Sequence, residues 1–176
     1  PTFKYAGTNP CGEEPLPAGG SCLLGALNLA EFVVDIGGCK HFDDEAFRKA
    51  VKTATIALNQ VLDEGMELHP LLEQRTSVRD WRQIGLGVMG IADMLIKLEI
   101  TYGSPRSIEV CDLIAQVLAE TAIETSVALA KKYGIMCMAY TSNANLDFTT
   151  FAKGTSLPID KLIKIINEAS DSYVPS

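Results

Sequence analysis

The feature that most constrains this fold is a long, broadly apolar helical pattern over residues 104–133. The pattern opens at Ser104-Pro105, a capping residue followed by a proline that suits the first helical position, and Gly134 supplies a stop signal. Apolar residues occupy most sides of the predicted helix instead of forming a single stripe. Such a helix has to be covered on more than one side, so other elements must pack around it.

Two further helical patterns precede this one. The first follows Asp43, which can cap the opening turn, and its apolar residues recur at three- and four-residue steps until Gly65. The second covers residues 79–98, where one face carries Ile84, Val88, Ile91, Ala92, Leu95 and Leu98. We therefore predict a mostly helical segment with three helices in residues 43–133.

The two ends of the chain differ from this helical middle. Residues 1–42 are rich in glycine and proline up to Gly25, and the pattern over residues 22–34 fits either a short strand or a helix. Residues 134–176 are polar and turn-rich, which predicts a loop and a short C-terminal helix from Pro158. No linker divides the 176 residues, of which 47% are hydrophobic, so we predict a single segment of one domain.

Composition excludes several classes of function. A net charge of −7 without a basic run argues against a nucleic-acid surface. No uninterrupted apolar run has the length of a spanning helix and the N-terminus does not read as a signal peptide, which predicts a soluble cytoplasmic protein without a membrane partner. Five cysteines without a CxxC pair, and only two histidines, predict reduced thiols and no metal site.

The stretch TNPCGEEPLP, residues 8–17, combines an amide, a thiol and a carboxylate at alternate positions. Proline fixes its own φ and restricts the residue before it, so the sequence predicts an extended loop. Along an extended backbone the side chains of Asn9, Cys11 and Glu13 would project to one side, and Gly12 would let a ligand approach the thiol. The three side chains would then bring a hydrogen-bonding amide, a reactive sulfur and a proton acceptor close together.

Three interpretations of Cys11 are open from the residues alone. It can be an incidental cysteine in a surface loop, a thiolate nucleophile with Glu13 as its base, or a thiol that gives up a hydrogen atom. A nucleophilic cysteine usually has a cationic partner, and neither His41 nor His69 is near Cys11 in the sequence. Cys22, in GGSCLLG, follows through a short glycine-rich connection and is a candidate for the same site.

The segment GLGVMG, residues 85–90, matches the GxGxxG pattern of dinucleotide-binding proteins. That function requires a strand before the glycines and a helix after them. Because the preceding residues read as the start of a helix, we predict that Gly87 and Gly90 lie within a helix and serve close packing, and we assign no cofactor to them. Cys39, beside Gly37 and Gly38, is predicted to lie in a turn.

Three blocks together resemble a known family. NPCGEEPLP, GGSCLLGALNL and RQIGLGVMGIADMLIKLEITYGS are similar to the catalytic large subunit of ribonucleotide reductases, in particular the adenosylcobalamin-dependent class with the motif NPCGE. The similarity extends from about Asn9 to Tyr133. It implies that the chain is part of a ten-stranded α/β barrel with a central finger loop, in which GLGVMG belongs to a helical packing segment.

The resemblance also implies roles for individual residues. Cys11 would become a thiyl radical and abstract the 3′-hydrogen of a ribonucleotide, Glu13 would act as base toward the 3′-hydroxyl, and Asn9 would hydrogen-bond the substrate. Cys22 would be one of two redox-active cysteines that reduce the substrate and close to a disulfide. The parent enzyme would use adenosylcobalamin and a thioredoxin-type reductant.

The chain differs from the family at three residues and in one missing motif. Glu14, Leu23 and Glu99 replace the residues common in the family, and Leu23 adjoins Cys22. No Pro-Thr-Gly phosphate-binding loop is present. We therefore expect an isolated segment that is inactive by itself and prone to self-association through exposed apolar surface. Three alternatives are a class with a separate radical-generating subunit, a glycyl-radical relative, and a non-catalytic remnant that binds an intact reductase.

Overall fold

The computed structural model describes residues 4–12, 14–133 and 164–165. The strands are β1 (Gly7–Thr8), β2 (Pro15–Leu16), β3 (Leu23–Asn28), β4 (Val33–Ile36), β5 (Cys39–Phe42) and β6 (Ile84–Met89). The helices are α1 (Asp44–Met66), α2 (Leu72–Trp81), α3 (Ile91–Lys97) and α4 (Pro105–Tyr133), with a 3-10 helix at Leu29–Phe32. Within these residues the fold is mostly helical, and the strands form three two-stranded sheets that do not close into a barrel.

The first and last predicted helices are confirmed. Asp43 caps α1, because its carboxylate accepts a hydrogen bond from the Ala46 amide at 2.9 Å. Ser104 caps α4 in the same way, its hydroxyl oxygen accepting from the Ser107 amide at 3.2 Å. The two helices pack against each other, and Ile114 and Val117 of α4 are buried.

The single helix predicted over residues 79–98 is wrong. The structure divides this region between the end of α2, the strand β6 and the helix α3. Glycine disfavours a helix interior, and Gly85 and Gly87 alternate with Leu86 and Val88, which pack on the core. The apolar residues that fit a helical period therefore belong to two different elements.

Residues 22–34, which the sequence left open, contain the strand β3, the 3-10 helix and the first residues of β4. β3 pairs in parallel with β6, from Leu23 opposite Ile84 to Asn28 opposite Met89. β4 and β5 form a hairpin around Gly37-Gly38, both of which have positive φ. Cys39 is the first residue of β5 and not part of the turn, which corrects the sequence prediction.

The core lies where α1, α3 and α4 meet the β3–β6 sheet and the 3-10 helix. Its buried members are Leu29, Phe47, Val51, Met94, Leu95, Ile114 and Val117. Phe47 has no exposed surface and meets Phe32 and Phe42 edge-on, with ring centroids 5.2 and 5.4 Å from its own. The core fixes one face of the β3–β6 sheet against α1.

By length and composition alone α4 could cross a membrane, since its most apolar window has a mean hydropathy of 1.4. The same helix packs along α1 and contributes Ile114, Val117 and Val127 to the buried residues. Only 28% of that apolar window is buried within the described residues, so α1 and the core cover part of α4 and leave the rest exposed. The C-terminal helix predicted from Pro158 lies outside the described residues, apart from residues 164–165, which are helical.

Candidate functional site

Cys11 lies at the tip of a short hairpin. β1 and β2 pair antiparallel, with Gly7 opposite Leu16 and Thr8 opposite Pro15. Between them the Asn9 carbonyl accepts a hydrogen bond from the Gly12 amide at 3.0 Å, which closes a four-residue turn. Cys11 occupies the third position of that turn, and its side chain is exposed.

The local sequence explains why the chain turns here. Asparagine at the first position, proline at the second and glycine at the fourth are the residues that type I turns favour. Gly12 has a φ of +79°, a value that glycine adopts without the steric cost that a side chain would bring. The prediction of an extended loop is therefore wrong for residues 9–12, because the fixed φ of Pro10 suits the second position of a turn equally well, whereas Thr8 and Pro15–Leu16 are extended.

The Asn9 side chain holds this turn together. Its Oδ1 accepts a hydrogen bond from the Glu14 amide at 3.0 Å, and its backbone amide donates to the Glu14 carbonyl at 3.2 Å. One residue thus bridges both sides of the loop that presents Cys11. The motif Asn-Pro-x-Gly was the sequence signal for this geometry. Glu13 lies outside the described residues.

Cys22 is held by a different element. It is half-buried directly before β3, it is not in a disulfide, and its Sγ donates a weak hydrogen bond to the Leu23 carbonyl at 3.9 Å. The Leu23 amide donates to the Gln83 carbonyl, so the parallel pairing begins right after the cysteine. The start of β6 therefore lies beside Cys22.

The connection between the two cysteines is anchored on α2. The Gly20 amide donates to the Pro17 carbonyl at 2.9 Å, which closes a second turn. Gly19 in that turn has a φ of +69° and lies so close to Glu73 that a Cβ at this position would stand 2.7 Å from the Glu73 Cγ. Contact with α2 fixes the course of the chain from the hairpin to Cys22.

The glycines of GLGVMG do not form a phosphate-binding turn. Gly85 and Gly87 lie inside β6 instead of following a strand, and only Gly90 is outside it, as the left-handed residue that precedes α3. A dinucleotide fingerprint places its glycines between a strand and a helix. The prediction that Gly87 and Gly90 lie within a helix is wrong, because Gly87 lies in the extended strand β6 and Gly90 is the left-handed residue before α3.

Sequence reasoning missed Gly85 as a neighbour of Cys22. A Cβ built on Gly85 would lie 3.4 Å from the Cys22 Sγ and 2.6 Å from the Leu24 Cδ2. This proximity depends on the register of two strands that are far apart in the sequence, so no local pattern indicates it. Among the described residues, no group of three or more histidine, cysteine or acidic side chains is arranged to hold a metal ion.

Comparison with known proteins identifies the family. The family model of the ribonucleotide reductase barrel domain matches residues 4–170, which is most of the chain. The chain therefore belongs to the ribonucleotide reductase family, as its motifs predicted.

Individual relatives agree with this assignment. A vitamin B12-dependent ribonucleoside-diphosphate reductase of Thermoplasma acidophilum is 38% identical over 170 residues, which are 96% of this chain and 22% of that protein. A reductase of the same name from Mycobacterium tuberculosis is 34% identical over 131 residues, 74% of this chain and 18% of that protein. A ribonucleoside-diphosphate reductase subunit alpha of Chlamydia trachomatis is 31% identical over 163 residues. The chain spans about a fifth of the length of the first two relatives.

Proposed function

We propose that this chain is the segment of a ribonucleotide reductase that carries the radical cysteine, and that the parent protein converts ribonucleotides to deoxyribonucleotides. The observation that carries the proposal is the exposed Cys11 at the tip of the NPCG turn, in a chain of this family. An exposed thiol on a short, hydrogen-bonded turn can meet a substrate without rearrangement of the backbone. The isolated segment does not turn over nucleotides by itself.

In this proposal each residue has one task in the reaction. Cys11, as a thiyl radical, takes the 3′-hydrogen atom of the ribose, Glu13 accepts the proton of the 3′-hydroxyl, and Asn9 hydrogen-bonds the substrate. Cys22 and a second cysteine of the parent supply two electrons and two protons. The 2′-hydroxyl leaves as water, a hydrogen takes its place, and the two thiols close to a disulfide. Glu13 then returns the proton and Cys11 returns the 3′-hydrogen atom, which regenerates the thiyl radical.

Adenosylcobalamin is the cofactor that we propose for the parent, because two of the relatives are named vitamin B12-dependent. When bound, it supplies radical chemistry that side chains alone lack. The residues present fit it in one respect, since the thiol of Cys11 is exposed and can lose a hydrogen atom to a reactant outside the hairpin. The Chlamydia relative is named a subunit, which favours a separate radical-generating subunit as the second candidate.

We also propose that the complete protein forms the ten-stranded α/β barrel. The parallel pair β3–β6, with α1 in contact with both strands, is the repeating unit of such a barrel. Several large apolar side chains are exposed and would be covered by further elements of the parent or by a second copy: Leu24, Leu68, Leu72, Met89 and Ile96. The parent would act in the cytoplasm with a thioredoxin-type reductant.

The experiment that tests the function replaces two exposed cysteines in the complete polypeptide. Cys11→Ala should abolish the formation of deoxynucleotide from ribonucleotide, cofactor and reductant. Cys39→Ala is the matched control, since Cys39 is equally a reduced, exposed cysteine but begins β5 of a different sheet. Product formation by Cys11→Ala at the rate of the control would refute the proposal, and product from the isolated segment would refute its predicted inactivity.

A further inference from the structure

We infer that Arg82 is a positioning residue for Cys22, because its guanidinium holds the start of β6, to which the chain beside Cys22 is hydrogen-bonded. The inference rests on the proposed role of Cys22 as a redox cysteine. It concerns a residue at the end of α2 to which the resemblance assigned no role.

The Arg82 side chain is tied to α1. It is 12% exposed, whereas the side chains of the other arginines are each 40% exposed or more. Its guanidinium donates to the half-exposed Asp63 carboxylate at 2.6 Å and, more weakly, to the Asn59 amide oxygen at 3.4 Å. The Asn59 Nδ2 donates to the Thr55 carbonyl at 2.9 Å, which turns the amide oxygen toward Arg82. Two side chains of one helix therefore hold the guanidinium.

The backbone of Arg82 is held in a conformation that favours glycine. Its φ is 46°, and among the described residues only Glu99 shares a positive φ without being glycine. Such a conformation has a steric cost for a residue with a side chain, and it persists where the surrounding contacts offset that cost. The contacts with α1 therefore determine where α2 ends and in which direction the chain continues into β6.

A single backbone hydrogen bond connects this corner with Cys22. The carbonyl of Gln83, the residue after Arg82, accepts from the Leu23 amide at 3.3 Å. Cys22 directly precedes Leu23, and its Sγ donates weakly to the Leu23 carbonyl. Arg82 is thus one residue away from the acceptor of this bond, and Cys22 is one residue away from its donor.

The helix α1 holds both partners of this bond. A Cβ at Gly25 of β3 would lie 3.5 Å from two carbons of the Leu58 side chain, so α1 packs directly on β3. The next residue of α1, Asn59, contacts Arg82. Because one helix packs on β3 and binds Arg82, the guanidinium limits how far the start of β6 can move relative to the chain at Cys22.

The chemistry of Cys22 makes its position consequential. When two thiols close to a disulfide they lose two protons and two electrons, which in the proposed reaction reduce the ribonucleotide. The bond requires the two sulfurs to lie about 2 Å apart and the two Cβ atoms about 4 Å apart. A cysteine whose backbone is already held in place loses less conformational freedom when the bond closes. Loss of the guanidinium should therefore make the disulfide of Cys22 less stable relative to its thiols.

The first test measures hydrogen exchange of the Leu23 amide in the complete, folded polypeptide, by mass spectrometry of overlapping peptides. Arg82→Met removes the guanidinium but keeps a long apolar side chain, and it should speed exchange of this amide several-fold. Lys97→Met is the matched control, since the Lys97 ammonium donates to the Ala30 carbonyl at 2.7 Å beyond the other end of the sheet. It should leave the exchange of Leu23 unchanged. Exchange of Leu23 in Arg82→Met at the rate of the wild type, or of Lys97→Met, would overturn the inference.

A second pair of variants tests whether the contact with α1 is responsible. Asp63→Ala removes the main partner of the guanidinium and leaves residue 82 intact, so it should also speed exchange of the Leu23 amide. The double variant Arg82→Met/Asp63→Ala should exchange this amide about as fast as Arg82→Met alone, because both changes remove the same contact. If the two effects multiply instead, Arg82 acts independently of Asp63 and the inference fails.

The redox equilibrium of Cys22 separates positioning from a purely structural role. The complete polypeptide is equilibrated in glutathione buffers, free thiols are trapped with iodoacetamide, and mass spectrometry gives the fraction of Cys22 in an intramolecular disulfide. We expect the equilibrium constant for disulfide formation to fall several-fold in Arg82→Met and to stay at the wild-type value in Lys97→Met. An unchanged constant in Arg82→Met would restrict Arg82 to stabilising the fold and would overturn the inference.

Failure of the inference and failure of the proposed function are distinguishable. Exchange of the Leu23 amide reports the hold of Arg82 on this part of the sheet whether or not the protein makes deoxynucleotides. The proposed function fails instead if Cys22→Ser forms deoxynucleotide at the wild-type rate with a dithiol reductant.

Discussion

The side-chain oxygen of Asn28 occupies the space in which a Cβ at Gly90 would stand. Asn28 ends β3 and Gly90 follows β6, so the contact joins the carboxyl ends of the two parallel strands. The same Asn28 Oδ1 accepts a hydrogen bond from the Ala30 amide at 3.2 Å and caps the 3-10 helix. Gly90 has a φ of +73° and its carbonyl accepts from the Met94 amide in α3. This close contact thus fixes the positions at which β3 and β6 leave the sheet.

Gly90→Ala should destabilise this end of the sheet by about 2–4 kcal/mol. A left-handed conformation costs a residue with a side chain about 1–3 kcal/mol, and displacing Asn28 removes a cap worth about 1 kcal/mol. Native-state hydrogen exchange of peptides from β3 and α3 measures the free energy of local opening.

Two variants control this measurement. Gly87→Ala should change the opening free energy by less than about 1 kcal/mol, because its φ is not positive and the added Cβ would make only an ordinary contact, 3.9 Å from the Gly25 carbonyl oxygen. In the background of Asn28→Ala, Gly90→Ala should cost only the conformational part, because the displaced oxygen is gone. Equal effects of Gly90→Ala in both backgrounds would contradict the contact between Asn28 and Gly90.

The helices could be predicted where the signal is local. Asp43 and Ser104-Pro105 mark the starts of α1 and α4, and a long apolar period follows each of them. The region around β6 was misread because Ile84 and Val88 fit a helical spacing by coincidence. Residues 84–89 form a strand because they pair with β3. Parallel pairing with a strand so distant in the sequence produces no recognisable pattern in either segment.

The candidate site was predictable in composition but not in geometry. The motif names Asn9 and Cys11, yet the extended loop inferred for them is a turn, because asparagine and glycine at its ends outweigh the preference of the residue before proline for extended chain. The proximity of Gly85 to Cys22 is a property of strand register, which one sequence does not contain.

Substitutions of Asn9 can separate its hold on the turn from a contact with substrate. Asn9→Ala removes the acceptor of the Glu14 amide, a hydrogen bond with a net value of about 1 kcal/mol, so exchange of that amide should become about fivefold faster. Asn9→Asp keeps an oxygen in the same place and should leave the exchange slow. Nuclear magnetic resonance of the Glu14 amide measures both rates.

The activities of the same two variants then test whether Asn9 contacts the substrate. If the Asn9 amide donates to the substrate, Asn9→Asp should lose product formation as fully as Asn9→Ala, because a carboxylate has no hydrogen to donate. Full activity of Asn9→Asp, with loss confined to Asn9→Ala, would restrict Asn9 to its structural role in the turn.

Arg82 should stabilise the packing of α1 against the start of β6. It ends α2 in a left-handed conformation with a φ of 46°, and its guanidinium donates to the Asp63 carboxylate at 2.6 Å. With 12% of the Arg82 side chain but 49% of the Asp63 side chain exposed, this charge-assisted bond is worth about 1 kcal/mol, which Arg82→Ala should lose in full.

Arg82→Gly should be less harmful than Arg82→Ala. It loses the same bond to Asp63 but recovers about 1 kcal/mol, since glycine adopts positive φ without a steric penalty. Native-state hydrogen exchange in the peptide that spans Gln83 and β6 compares the two variants, and Asp63→Asn isolates the charge. If Arg82→Gly were the less stable of the two, the left-handed backbone at this position would not be strained.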